Sequence, residues 1–204
     1  MKSNLTIDTR IYILNKVTPL FAAHGIDGVS MRELSKAVGL SAAAIYHHFS
    51  DKKTLYLEVM KYVFLEKTSV IESSLCQDVS ATRRLEKFIE SFATLLGGDP
   101  DFRALVLWAL LDNDKTRIKL VAEEVFFPPF NSLKKILEEV DPDAEHYMLT
   151  ISIVWLVVSH FATMPMCQYL PGWRSEYADP AVVSKHIMGF FKKNQLGLTN
   201  EVTK

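Results

Sequence analysis

The sequence predicts an all-α fold. Apolar residues recur at three- and four-residue steps through most of the chain, no stretch sustains a two-residue alternation, and only eight glycines and eight prolines punctuate 204 residues. Hydrophobic residues make up 49% and charged residues 23%, an ordinary globular balance that sets aside disordered, collagen-like and rod-like classes. Two cysteines, Cys76 and Cys167, are too few for a disulfide framework or a zinc knuckle and fit a reducing cytoplasm.

In the first helix, Ile7, Ile11, Leu14, Val17 and Phe21 mark one apolar face. Pro19 removes a backbone donor inside that pattern and predicts a local kink. Gly25 ends the helix, and Asp27-Gly28 makes a turn. Ser30-Met31-Arg32-Glu33 then reads as a capping box, with Leu34, Ala37 and Val38 turned inward and Gly39 closing the helix after two turns. Ser41 caps a second short helix, on which Ile45 and Phe49 point the same way. Ser50-Asp51 opens another, with Leu55, Val59, Tyr62 and Val63 inward.

Later helices are expected at about 52–76, 81–96, 101–112, 115–127, 129–139, 144–165 and 180–194. Pro128-Pro129 should break or kink the pattern from Thr116 to Val140. Asp179-Pro180 is a start signal, a capping carboxylate before proline at the first helical position, and Lys192 and Lys193 suit the end of that helix.

The unit that carries function is a helix of two turns, a glycine-containing turn and a second short helix, over about 30–49: the helix-turn-helix pattern. Its second helix must bury Ile45 and Phe49 while offering its first turn to the major groove. That turn is Ser41-Ala42-Ala43-Ala44, whose alanines allow close approach and thymine-methyl contact but no bidentate hydrogen bonds. Tyr46, His47, His48, Lys52, Lys53 and Arg32 supply donors for phosphate oxygens, so shape and backbone contacts should carry much of the affinity. Charge agrees: residues 1–62 hold eight Lys/Arg against five Asp/Glu, a net of +3, while the remainder holds fifteen against nineteen, a net of −4.

The run Ile13-Leu14, Leu20-Phe21, Gly25, Ser30-Met31-Arg32-Glu33-Leu34, Gly39-Leu40-Ser41 and Ile45-Tyr46-His47-His48-Phe49-Ser50-Asp51-Lys52 resembles the N-terminal domain of the tetracycline-repressor (TetR) family of transcriptional regulators over about residues 8–62. The resemblance implies that Ser41 to His48 form the recognition helix, that Tyr46, His48 and Lys52 contact phosphate, and that Phe49 is structural. It also implies a homodimer on a palindromic double-stranded DNA operator, with an all-helical regulatory and dimerisation domain over 63–204 whose helices at about 144–165 and 180–194 pair across a two-fold axis. A small effector in that domain would shift the helix at about 52–76 and release the DNA. Ala43 stands where many members carry Gly or a polar residue, which leaves operator identity open, and no motif beyond residue 62 matches.

Read from its own residues, the second domain holds all three tryptophans, and Trp108, Phe126, Phe130, Trp155 and Met164 are candidates for a pocket taking a small apolar or aromatic effector. Val183, Ile187, Phe190 and Phe191 form one face of the last helix, expected to be a dimer interface, with Gly189 permitting close approach. Tyr147 to Met166 has about the length of a membrane span, but Thr150, Ser152, Ser159, His160 and Thr163 interrupt it, so a core helix or a subunit interface is the reading preferred. Met1 to Arg10 lacks an apolar signal segment, and a cytoplasmic protein with no membrane partner is expected.

Enzyme readings fare badly. His146 and His160 are four helical turns apart, about 21 Å along one face, too far to share an ion. Asp141, Asp143 and Glu145, and Asp112-Asn113-Asp114, lack the calcium-loop glycine, and no nucleophile elbow, Walker loop or C-x-x-C occurs. No catalytic residue, metal or cofactor is expected. An effector-independent architectural protein and a transcriptional activator of the same fold are the alternatives to a repressor.

Overall fold

A computed structural model describes the backbone of residues 2–75 and 79–197 and the side chains of residues 9–69 and 79–190. Every regular element among them is helical: α1 (Lys2–His24), α2 (Met31–Val38), α3 (Ala42–His48), α4 (Lys52–Leu75), α5 (Ala81–Gly98), α6 (Pro100–Leu110), α7 (Lys115–Val121), a π-helical turn (Ala122–Phe126), α8 (Phe127–Val140), α9 (His146–Cys167), a short 3-10 turn (Ser175–Ala178) and α10 (Pro180–Gly197). Backbone contacts group them into two compact units, Met1–Ser69 with Pro100–Pro129, and Val70–Asp99 with Phe130–Lys204.

In the first unit α1 packs on α2 and α6, and α2 on α3. The core holds Ile13, Val17, Phe21, Leu34, Ile45, Phe49, Leu55 and Val59, all 1% exposed or less. Two expected inward positions are corrected. Ile11 is 39% exposed, and Ala37 is exposed as well. The buried stripe of α1 runs through Ile13, Leu14, Val17 and Phe21, and a residue two positions off it is turned by about 200°, out to water. On α2 it is Ser35, not Ala37, that joins Leu34 and Val38 inside. The side chain of Ile7 lies outside the described residues.

The prolines do not interrupt their helices. α1 runs unbroken through Pro19, which sits with Asn15 on the solvent side, where water can serve the Asn15 carbonyl that Pro19 cannot. Likewise the helical path from Lys115 to Val140 is not broken at Pro128-Pro129. The π-helical turn immediately before them widens the backbone where proline rings would otherwise press on the carbonyls of Glu124 and Val125.

In the second unit α5 packs on both α9 and α10. Its core holds Leu85, Ile89, Leu96, Leu133, Ile153, Val157 and Phe161. Gly97 permits the closest approach, since a Cβ there would stand 2.9 Å from the Phe161 ring. Glu145 caps α9 by accepting from the Met148 amide at 2.6 Å, and Asp179 caps α10 through the Ala181 amide at 2.9 Å. α9 has a mean hydropathy of 1.6 over an 18-residue window, long and apolar enough by composition to cross a membrane, yet only 28% of that window is buried. It is therefore not the buried core helix that composition alone allowed.

Candidate nucleic-acid interface

α3, the expected recognition helix, is built by local caps. Ser30 and Glu33 form the full capping box at the start of α2, and Gly39 leaves it with φ +74°, a left-handed conformation that suits glycine. Ser41 then accepts from the Ala44 amide at 3.2 Å and starts α3. Asp51 accepts from the Thr54 amide at 2.7 Å to start α4, and that bond holds its carboxyl below the usual range. Ile45 and Phe49 anchor α3 to the core. Ala43, Tyr46 and His47 face solvent, Tyr46 with 47% of its surface exposed. Ala42, Ala44 and His48 are half-buried, and Arg32 is exposed on α2.

Arg10, which sequence reasoning missed, fixes the far end of α3. Its guanidinium donates to the His48 carbonyl at 2.8 Å, lies 4.4 Å from the Phe49 ring centroid and pairs with Glu58 of α4 at 2.6 Å. One side chain thus joins α1, α3 and α4. Burial, then the charges of His47 and Arg10, lower the pKa of His48, so at neutral pH it offers a hydrogen bond rather than a charge. An arginine three residues before Ile13 and four before Leu14, on the inner stripe of a helix, was the signal available for this role.

The two lysines expected at phosphates already have partners. Lys52 donates to the Val29 carbonyl at 3.0 Å and ties down the turn before α2. Lys53 pairs with Asp114 at 2.7 Å, a bond that pulls the Asp114 carboxyl down to about 2. Asp114 also caps α7 through the Thr116 and Arg117 amides. Beside it Arg117, 8% exposed, is gripped by Asp112 and reaches Asp27 at 3.0 Å. Tyr56 of α4 is buried next to this cluster, and burial pushes its hydroxyl up to about 12. Asp27, Asp112 and Arg117 had no local signal, because the Arg117–Asp27 pair spans 90 residues.

Residues 13–59, the segment just described, match the family model for bacterial regulatory proteins of the tetR family. The amino-terminal domain belongs to the tetR family. It is similar to the HTH-type transcriptional repressor AcnR of Corynebacterium efficiens, 40% identical over 55 residues, which are 27% of this chain and 29% of that repressor. The chain therefore matches less than a third of that relative's length. Across most of the chain the fold resembles the FadR regulator of Bacillus subtilis in complex with stearoyl-CoA, with a TM-score of 0.75, 16% identity and coverage of 88% of this chain and 96% of that one. It also resembles AibR in complex with isovaleryl coenzyme A and operator DNA, with a TM-score of 0.69, 17% identity and coverage of 89% and 97%. At such identities these two likenesses establish the fold.

Outside the tetR domain the expected effector residues divide between the two units, Trp108 and Phe126 in the first and Phe130, Trp155 and Met164 in the second. Trp108 donates to the Ala22 carbonyl at 2.9 Å and lies against Gly25. Phe126 meets the Phe64 ring at 5.0 Å. Phe130 stacks edge-on with Tyr147 at 5.5 Å, and Trp155 stands 54% exposed on α9. Only Met164 of the five lines the cavity at the end of α9, while Trp108 lines a separate groove beside Asp27 and Arg117. The expected dimer face also divides. Val183 and Ile187, 4% and 2% exposed, are taken up by the chain's own core where α10 meets α5, and Phe190 is 46% exposed. The side chain of Phe191 lies outside the described residues, as do those of Lys192 and Lys193. Among the described residues no group of three His, Cys, Asp or Glu is placed to hold a metal ion.

Proposed function

We propose that the chain is a cytoplasmic, sequence-specific transcriptional repressor of tetR type, without enzymatic activity, in which two copies place α3 in successive major grooves of a palindromic operator. The observation that carries this is the pinned recognition helix, with Ile45 and Phe49 held inside while Ala43, Tyr46 and His47 are exposed. The functional boundary is set near residue 62, with 63–204 serving effector binding and dimerisation.

A second copy is the occupant proposed for α9. Met148, Ile151, Trp155 and Met166 are 58%, 40%, 54% and 62% exposed, and with Ser159 and Ala162 they follow three- and four-residue steps along one face. Trp155 then serves the seam between copies rather than an effector pocket, and Phe190 of α10, 46% exposed, is assigned to the same seam.

Control by a small apolar or aromatic effector completes the reading. FadR and AibR hold acyl thioesters of coenzyme A. That class is not proposed for the cavity lined by Met164, whose walls carry no Lys or Arg to meet phosphates.

A mobility-shift assay on the DNA upstream of the chain's own gene, at two salt concentrations, tests the reading. Tyr46→Ala with Lys52→Ala should weaken binding to all sequences and lower the salt slope by about one, the contribution of the lysine. Tyr46→Phe isolates the phosphate hydrogen bond, because Lys52 also tethers Val29. Unchanged affinity at both salt concentrations removes the phosphate assignment.

A further inference from the structure

The end of α9, the start of α10 and the segment between them line a cleft of about 490 Å³, open to solvent on one side, in the second unit. Its volume lies within the range of small-molecule sites and far above that of one water. The wall is pre-formed. Successive turns are closed by hydrogen bonds from Leu170 to Cys167 at 3.0 Å, from Trp173 to Leu170 at 3.3 Å and from Tyr177 to Arg174 at 3.0 Å. Trp173 and Tyr177 meet edge to face at 5.7 Å, a packed aromatic corner.

Chemistry narrows the ligand. The lining residues include His160, Met164, Cys167, Trp173, Tyr177 and His186, with no Lys, Arg, Asp or Glu among them. A charged group on the ligand would meet no Lys, Arg, Asp or Glu to offset whatever water it gives up on the apolar walls. His160 Nε2 lies 2.6 Å from the Tyr177 carbonyl, which can only accept, so Nε2 carries a hydrogen and Nδ1 is the ring nitrogen left for another partner. Arg174 and Glu176 lie in the same segment, but both are exposed and pair with each other.

We infer that this cavity binds an uncharged, planar aromatic molecule bearing a hydroxyl or carbonyl group, held by the Trp173–Tyr177 corner and the imidazoles of His160 and His186. The inference deepens the effector reading above and rests on it for its regulatory consequence alone.

The test uses the full chain with Cys76→Ser, which leaves Cys167 as the one thiol. Two probes matched in shape are titrated by calorimetry: 2-naphthol, and the protonated amine 2-naphthylmethylamine. Protection of Cys167 from N-ethylmaleimide is followed by mass. Expected are one 2-naphthol per chain, slowed alkylation and affinity for the ammonium lower by about tenfold or more. Thr163→Trp, at an exposed position lining the cavity, should fill it and cut 2-naphthol affinity by about tenfold with the circular-dichroism melt unchanged. Trp173→Ala, which removes a wall instead, should do the same and guards against a misfolded first variant. Equal affinity for both probes, absence of Cys167 protection, or unchanged binding in both variants overturns the site. A shift assay on the same samples separates the two claims. Binding of 2-naphthol with operator affinity unchanged keeps the site and removes its regulatory role, whereas absence of operator binding by the probe-free chain counts against the DNA reading alone.

Discussion

The helix-turn-helix and α9 use their side chains in opposite ways. Around α3, polar groups are committed to fixed partners: Ser30 with Glu33, Ser41 with the Ala44 amide, Arg10 with the His48 carbonyl and Glu58, Lys52 with the Val29 carbonyl. Along α9, Met148, Ile151, Trp155 and Met166 are left in solvent. Directional bonds fix a geometry whether or not anything is bound, which is what a helix proposed to read a groove requires. Non-directional apolar area is worth little until it is covered, and the proposed second copy would cover it.

The comparison breaks first at α9. Trp155→Glu should weaken dimerisation by about thirtyfold or more, the order expected for a buried aromatic anchor, while helix content stays unchanged because the residue is exposed in the single chain. Sedimentation velocity across a dilution series reads this directly. An unchanged dimer constant would move the seam away from α9.

Arg10→Ala probes the other side. It removes a hydrogen bond, a cation–ring contact and a partly exposed ion pair together, and should cost about 1–2 kcal/mol, a melting shift of roughly 2–8 °C. Arg10→Lys should recover only part, since an ammonium cannot match the planar fork. Full stability in Arg10→Ala would mean that α3 is held by its apolar anchors alone.

These two cases also explain what the sequence disclosed. The caps of α2, α3, α4 and α10 were legible because each donor and acceptor lies within a few residues of its partner. Arg10 bonds a carbonyl 38 residues away and Arg117 a carboxylate 90 away, and no local pattern encodes such pairs. The phase of α1 failed at Ile11 because a run of isoleucines and leucines gives several three-and-four stripes, and packing on α2 and α6 selects one. Of the two outcomes expected at Pro128-Pro129, a break or a kink, the break is absent, and a π-helical turn lies just before the prolines. The scatter of Trp108, Phe126, Phe130 and Trp155 has a plainer cause: aromatic composition says that large side chains exist, not which of them share a space.

A finer probe concerns Lys53, whose ammonium is shared between Asp114 and any phosphate that approaches. Asp114→Asn keeps the cap on α7, since asparagine caps as well as aspartate, but cancels the charge that holds Lys53. Operator affinity should rise a few-fold at low salt, and the salt slope should steepen by about one as a freed lysine displaces one more counterion. Unchanged affinity and slope in the shift assay would place Lys53 outside the DNA contact.

The same residue predicts the smallest effect, in acid. Asp114 titrates near 2 in the folded chain and near 3.9 when unfolded, so the unfolded form binds the proton first as pH falls. The stabilisation from its bonds to Lys53 and the α7 amides is complete above about pH 5 and is lost towards pH 2. Asp51 and Asp112, also lowered, act in the same direction and window. His48 adds an earlier step of the same sign: its folded pKa lies below its ordinary value, so stability starts to decline once pH drops through about 6.5. Calorimetric melting temperatures should therefore slip slightly between pH 7 and 5 and fall more steeply below about 4. In Asp114→Asn, which has no carboxyl to protonate there, the lower limb should be shallower while the His48 step is retained. Identical acid limbs in the two proteins would show that the Lys53–Asp114 contact adds nothing to folding, leaving its competition with phosphate as the one role to measure.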